Sequence, residues 1–98
     1  MIEVVESEEF RAWRGALPSQ RVRNQIRTRL GRLAFGNPGA HRVLDGGIVE
    51  LKIDIGPGYR VYYARVTQAR FYVLRGGNKQ TQQRDIEAAR RAARELRS

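Results

Sequence analysis

The side chains able to do chemistry in this chain are few, and the missing types narrow the field first. Among its 98 residues there is no cysteine, which excludes a disulfide framework, a thiolate zinc site and a thiol nucleophile. A single histidine, His41, excludes a histidine-based metal cluster, so no metal or cofactor is expected. What remains is cationic. Lys and Arg number 19 against 10 Asp and Glu, a formal charge of +9. Only Lys52 and Lys79 are lysine; every other basic side chain is arginine. Arginine offers a planar fork that pairs bidentately with phosphate, whereas lysine is a compact charge on a flexible stem. An Arg-rich genome accounts for the ratio of the two cations but not for the net charge. A polyanion is the expected partner class, with nucleic acid favoured.

Positioning those cations requires elements, and the chain is well punctuated. Ile2–Val5 reads as a short strand. Ser7 caps a helix with Glu8 and Glu9 in its first turn and Phe10, Trp13 and Leu17 at helical spacing. Pro18 ends it, and Ser19 caps a longer helix with Val22, Ile26, Leu30 and Leu33 as its apolar stripe. Its other faces carry Arg21, Arg23, Arg27, Arg29 and Arg32. Gly36–Gly39 is a loop by composition, and His41 is expected to share it. The apolar period then drops to 2. In Ile48–Ile55, Val49, Leu51, Ile53 and Ile55 face one side while Glu50, Lys52 and Asp54 face the other. Gly56-Pro57-Gly58 turns into a strand over Tyr59–Thr67, a second turn leads to Arg70–Arg75, and Gly76-Gly77-Asn78 closes the meander. A helix from about Thr81 completes the chain, with Ile86, Ala89, Ala93 and Leu96 as a thin apolar stripe.

The order β-α-α-β-β-β-α predicts a single α+β domain over residues 1–98. An antiparallel sheet would carry the helical hairpin on one face. Such a sheet needs only that face covered. The other would display Lys52, Arg60, Tyr62, Arg70 and Tyr72, cations and rings suited to gripping RNA phosphates and stacking on splayed bases. Its alternative is a solvated face of Tyr–Arg cross-strand pairs. Tyr59 and Tyr63 are expected to turn toward the helices, Trp13 to be core, and Arg75 to lie on the face opposite Arg60 while still in reach of a phosphate. No apolar run approaches the roughly 20 residues of a membrane span. The N-terminus lacks the shape of a signal peptide, so a soluble cytoplasmic protein is expected, with no membrane partner.

Four stretches also carry a family resemblance. Glu50-Leu51-Lys52-Ile53, Gly56-Pro57-Gly58-Tyr59-Arg60-Val61-Tyr62-Tyr63, Leu74-Arg75-Gly76-Gly77-Asn78-Lys79-Gln80-Thr81-Gln82 and Asp85-Ile86-Glu87-Ala88-Ala89 resemble the addiction-module killer proteins. These form the HigB-like, phage-related branch of the RelE/ParE toxin superfamily of type II toxin–antitoxin systems. Phe10, Trp13 and the Gly36–Gly39 loop fit as well, so the resemblance covers nearly the whole chain. It implies a small toxin of RelE-like fold, held inactive by a cognate antitoxin of helix-turn-helix DNA-binding type. HigB-like and RelE-like members are typically mRNA interferases that cut message in the ribosomal A site, whereas ParE-like members poison DNA gyrase. Fold alone does not choose between them.

For activity the resemblance implies a ribosome-dependent, metal-independent mRNA endoribonuclease; gyrase poisoning is the alternative, and a plain RNA-binding domain a third reading. Cleavage requires a deprotonated 2′-hydroxyl, stabilised phosphorane charge and a protonated 5′-oxygen. Arginine stays protonated and cannot be the base, so Arg60, matching the family's YRVYY arginine, is the expected phosphate clamp. Lys52, on the neighbouring strand and the same face, and Lys79, after the glycine pair, are the remaining candidates to bind substrate or move a proton. Tyr62, Arg70, Tyr72 and Arg75 are the expected RNA contacts. One departure matters. Some RelE relatives use a tyrosine near the C-terminus as an acid–base group, and here no aromatic follows Tyr72; the tail Arg90–Ser98 is expected to be helical and arginine-rich. Proton transfer then falls to Lys52, Lys79 or the substrate itself. The basic outer faces of the second and last helices offer surface to the antitoxin.

Overall fold

The first two helices each start where a hydroxyl can replace a missing backbone partner. In the computed structural model, which describes residues 1–97, β1 (Glu3–Glu6) leads into α1 (Glu8–Ala16). The Ser7 hydroxyl accepts from the Phe10 amide at 3.0 Å, and Ser19 does the same for Val22 at 3.3 Å at the head of α2 (Gln20–Ala34). Such caps contribute about 1 kcal/mol each. There follow β2 (His41–Leu44), β3 (Ile48–Ile53), β4 (Tyr59–Thr67), β5 (Arg70–Asn78), a 3-10 turn (Lys79–Thr81) and α3 (Gln82–Arg97). The helical expectation for Ser98 lies outside the described residues.

The strands form one five-stranded sheet in the order β1-β5-β4-β3-β2. β2 to β5 make the antiparallel meander, while β1 joins β5 in parallel, Val4 opposite Phe71. The architecture is α+β and compatible with a RelE-like fold, but the sheet is mixed rather than antiparallel. The β preference of Val and Ile marks Ile2–Val5 as a strand; the long crossover that brings it back alongside β5 leaves no local mark. β2 replaces part of the expected loop. Its His41, Arg42 and Val43 side chains are exposed, and it is held by backbone pairing to β3, by the Arg42–Glu50 ion pair at 3.1 Å and by Leu44 packed against the Ile48 side.

α1 and α2 cover one face, where Phe10, Ile26 and Leu33 meet Leu51, Val61, Tyr63 and Val73. Tyr59 and Tyr63 turn to this side; Trp13 is only partly buried, edge-on to Tyr59 at 6.2 Å. The second face is not open. α3 lies across it and buries Ile48, Tyr62, Ala64 and Leu74 against Ile86, Ala89 and Ala93. The alanines explain how a thin stripe suffices: with no bulk at those positions, the helix packs close to the strands.

A bulge in β5 moves one cation. Tyr62 pairs with Arg75 but Tyr63 pairs with Val73, leaving Leu74 as the extra residue. Arg75 thereby reaches the Arg60 side of the sheet, contrary to the simple alternation. Gly76 and Gly77 are not a turn; they lie inside β5 because neighbours occupy their side-chain space. A Cβ on Gly76 would sit 2.2 Å from the Trp13 ring, and one on Gly77 1.8 Å from Asp85 Oδ2.

Candidate functional site

Past Ile53 the chain turns through Gly56-Pro57-Gly58, with Gly56 at φ 57° and Gly58 at φ 79°, a region that favours glycine. This turn, Asp54, Arg60 and Lys79 line a cleft of about 350 Å³. Arg60 is only 8% exposed. Its NH1 donates to the Tyr59 carbonyl at 3.0 Å and stands 3.9 Å from Asp54 Oδ1, while its Nε is buried without a partner. Asp54 is itself 81% exposed, so this long contact neutralises little of the guanidinium. The space a Gly58 side chain would fill is bordered by Arg60 NH1 at 3.4 Å and Lys79 Cβ at 3.8 Å. The Arg60 fork and the aliphatic stem of Lys79 thus border one glycine. An arginine fork with spare donors, lining a cleft with the exposed Lys79, can hold a phosphate and stabilise charge added to it.

The Lys79 backbone is held by its neighbours. Asn78 Oδ1 accepts from the Gln80 and Thr81 amides at 2.8 and 3.2 Å, and the Asn78 amide donates to Thr81 Oγ1 at 3.2 Å. Thr81 Oγ1 donates to Asp85 Oδ2 at 2.6 Å. Asp85 is buried and paired with Arg75 NH2 at 2.8 Å, and Arg75 NH1 reaches Glu9 at 3.2 Å. Arg75 therefore stands behind the Lys79 turn, engaged with carboxylates.

Lys52 pairs directly with Arg60 across β3 and β4. It is half-buried beside the cleft rather than in its lining, and its backbone is fixed by Ala40 and Arg29. The other expected contacts do not join this group. Tyr62 is fully buried beneath α3, its hydroxyl donating to Glu50 Oε2 at 3.0 Å, so its ring has no face for a base. Burial, then the adjacent Glu50 carboxylate, pushes its phenol well above the ordinary value. Tyr72 packs half-buried on the α3 side. Arg70 pairs with Glu3 at 2.6 Å at the far end of β5, about 26 Å along the strand from Asn78. His41 is exposed and contacts the Gly39 carbonyl at 2.7 Å through Nδ1.

Sequence reading overlooked two buried carboxylates. Glu50 accepts from Tyr62, from Gln82 Nε2 at 2.9 Å and from Arg42 Nε at 3.2 Å. It sits directly opposite Tyr62, on the face expected to be open. Asp85 immediately precedes Ile86 of the α3 stripe and opens one of the stretches that carry the family resemblance, and those were its signals.

The family described as phage derived protein Gp49-like (DUF891) matches residues 8–97, which contain the whole cleft. The chain belongs to this family. Gp49-like proteins are a toxin-like family of the RelE/Gp49 type, associated with toxins of toxin–antitoxin systems, and membership implies an antitoxin partner. A Haemophilus influenzae protein, itself uncharacterized, is 39% identical to this Gp49-like chain over 95 residues, covering 97% of the chain and 96% of the relative. Among the described residues, no helix is long and apolar enough to cross a membrane.

Proposed function

We propose that this Gp49-like protein is a HigB-like toxin acting in the cytoplasm as a single-domain, ribosome-dependent and metal-independent mRNA endoribonuclease. Its restraint would be an antitoxin of helix-turn-helix type. The observation that carries this reading is the convergence of Arg60 and Lys79 on the Gly56–Gly58 turn, with Lys52 opposite Arg60. A surface that only bound another protein would have no need to bury an arginine with spare donors at the floor of a cleft.

In this scheme the message strand lies over the glycine turn and Arg60 grips the scissile phosphate. The 2′-oxygen attacks phosphorus, its proton leaving to a substrate oxygen, or to the Lys52 amine where that group enters the cycle unprotonated. Charge on the phosphorane is stabilised by the Arg60 fork. The bond from phosphorus to the 5′-oxygen breaks, and that oxygen takes its proton from the Lys79 ammonium, the nearest acid in the lining. The products are a 2′,3′-cyclic phosphate and a 5′-hydroxyl. Arg75 acts by holding Asp85 and hence the Lys79 turn.

Brief induction of the toxin alone, with protein and DNA synthesis followed separately by pulse labelling, tests the reading. Translation is expected to stop first, with cuts in message mapped by primer extension. Arg60→Ala should abolish both effects while preserving antitoxin binding. An early stop in DNA synthesis with translation continuing would replace the nuclease with gyrase poisoning and remove Lys52 and Lys79 as catalytic groups.

A further inference from the structure

A second cationic surface lies across the sheet from the cleft. Between Glu9 and Asp45 the chain contains eight arginines and no carboxylate. All of α2 falls in this stretch. Arg21, Asn24, Gln25, Thr28 and Arg32 share one face of the helix and line a shallow groove of about 510 Å³. The stripe ends at Phe35, the C-cap residue, whose ring is 81% exposed. None of these side chains serves the core, which α2 builds from Val22, Ile26, Leu30 and Leu33. Ion pairs engage Arg14, Arg42, Arg60, Arg70 and Arg75 with carboxylates of Glu3, Glu6, Glu9, Glu50, Asp54 and Asp85, all outside the α2 stripe.

We infer that this outer stripe of α2 is a second RNA-binding surface, gripping the sugar–phosphate backbone of a structured RNA and stacking an unpaired base on Phe35. Arginine, amide and hydroxyl side chains are the groups that contact phosphate and sugar. Arg21 and Arg32 stand about 16 Å apart along the helix axis, so they reach separate phosphates, which suits a polymer rather than a single free anion. An exposed ring at the end of such a stripe suits an unstacked base. A protein partner would need an apolar core at the contact, and between Arg21 and Arg32 the stripe offers only Asn24, Gln25 and Thr28. Arg29 ties the surface to the cleft: it donates to the Pro38, Ala40 and Lys52 carbonyls, linking α2 to the strand opposite Arg60. RNA held on α2 therefore has a fixed relation to RNA held at Arg60. The inference deepens the ribosome-dependent reading, and rests on it for the biological setting alone, since direct binding requires neither ribosome nor cleavage.

The test is equilibrium binding of the purified full chain to an RNA hairpin of about 16 base pairs with an unpaired purine loop, over a range of salt. Arg21→Ala/Arg32→Ala should flatten the slope of log affinity against log salt by about 1.4–1.8, the value for two lost phosphate contacts. Phe35→Ala should weaken binding roughly tenfold with the slope unchanged. Arg91→Ala/Arg94→Ala on the exposed side of α3 removes equal charge and should leave both readings close to wild type. In an Arg60→Ala background, where message cleavage is lost, adding Arg21→Ala/Arg32→Ala should still lower the slope by the same amount, so that failure of one proposal is separable from failure of the other. An unchanged slope in the α2 variant, or an equal loss in the charge-matched α3 variant, overturns the inference. So does an α2 variant that binds the hairpin normally but no longer binds the antitoxin encoded beside the toxin.

Discussion

At the scale of single residues, Arg60 and Tyr62 show how two positions on one side of one strand acquire different fates. Arg60 lies beyond the reach of α3 and faces the cleft, whereas Tyr62, two residues on, is sealed under the helix with Glu50. Arg60→Lys keeps a charge but loses the fork, and Arg60→Ala loses both. Message cleavage in a translation extract should therefore fall in the order wild type, lysine, alanine, with the alanine variant down by about 10²–10³. Tyr62 supplies a test in solution. Its phenol, like that of Tyr63, is held above the ordinary value, chiefly by burial, so the folded state favours the neutral form. The stability this represents is complete below the unfolded value of about 10 and is lost as pH rises from there toward the higher folded value. Urea unfolding should thus show stability falling steeply above pH 10. Tyr62→Phe should make that fall shallower while costing about 1 kcal/mol near neutrality, through the lost bond to Glu50.

At the scale of elements, the site depends on β5 being a continuous strand that ends in a capped turn. Gly77 lies opposite Arg60 and directly beneath the Asp85 carboxylate. Gly77→Ala should destabilise the fold by about 1–3 kcal/mol, because Asp85 and Thr81 are short side chains with little room to yield. The same substitution should disturb the Lys79 turn and reduce cleavage. Asp85→Ala leaves Arg75 without its buried partner, and thermal or urea unfolding should register a loss of about 3–5 kcal/mol. In Asp85→Asn the loss should be smaller, since the amide oxygen can still accept from Thr81.

At the scale of the whole molecule, the sheet is the shared wall of two cores, and neither face is expendable. Truncation after Gln80 would expose Ile48, Tyr62, Ala64 and Leu74 together with the Glu50 carboxylate. Each buried large apolar side chain contributes about 1.5–3 kcal/mol, against a typical total of 5–15 kcal/mol for a domain. The truncated chain should therefore fail to fold, giving neither a cooperative thermal transition nor antitoxin binding. The full chain should unfold in one transition by circular dichroism and by tyrosine fluorescence alike.

How much of this was legible beforehand depends on the range of the interaction involved. Ser7 and Ser19 act on amides three residues away, and the stripes of α1 and α2 repeat within single helices. The sequence by itself therefore determined the helices, the three central strands, the turn at Gly56–Gly58 and the cationic character that points to phosphate. Lys52 and Arg60 were readable as neighbours for the same reason: a tight turn dictates which residues of two adjacent strands meet. Tertiary structure alone decided that β1 returns parallel to β5 and that α3 closes the second face, which withdraws Tyr62 from any ligand. It also decided that the Leu74 bulge carries Arg75 round to Asp85, and that Gly76 and Gly77 are strand rather than turn. Each of these is a contact between segments far apart in the chain. Packing sets such contacts by which surfaces fit and which polar groups find partners, and neither leaves a period in the sequence.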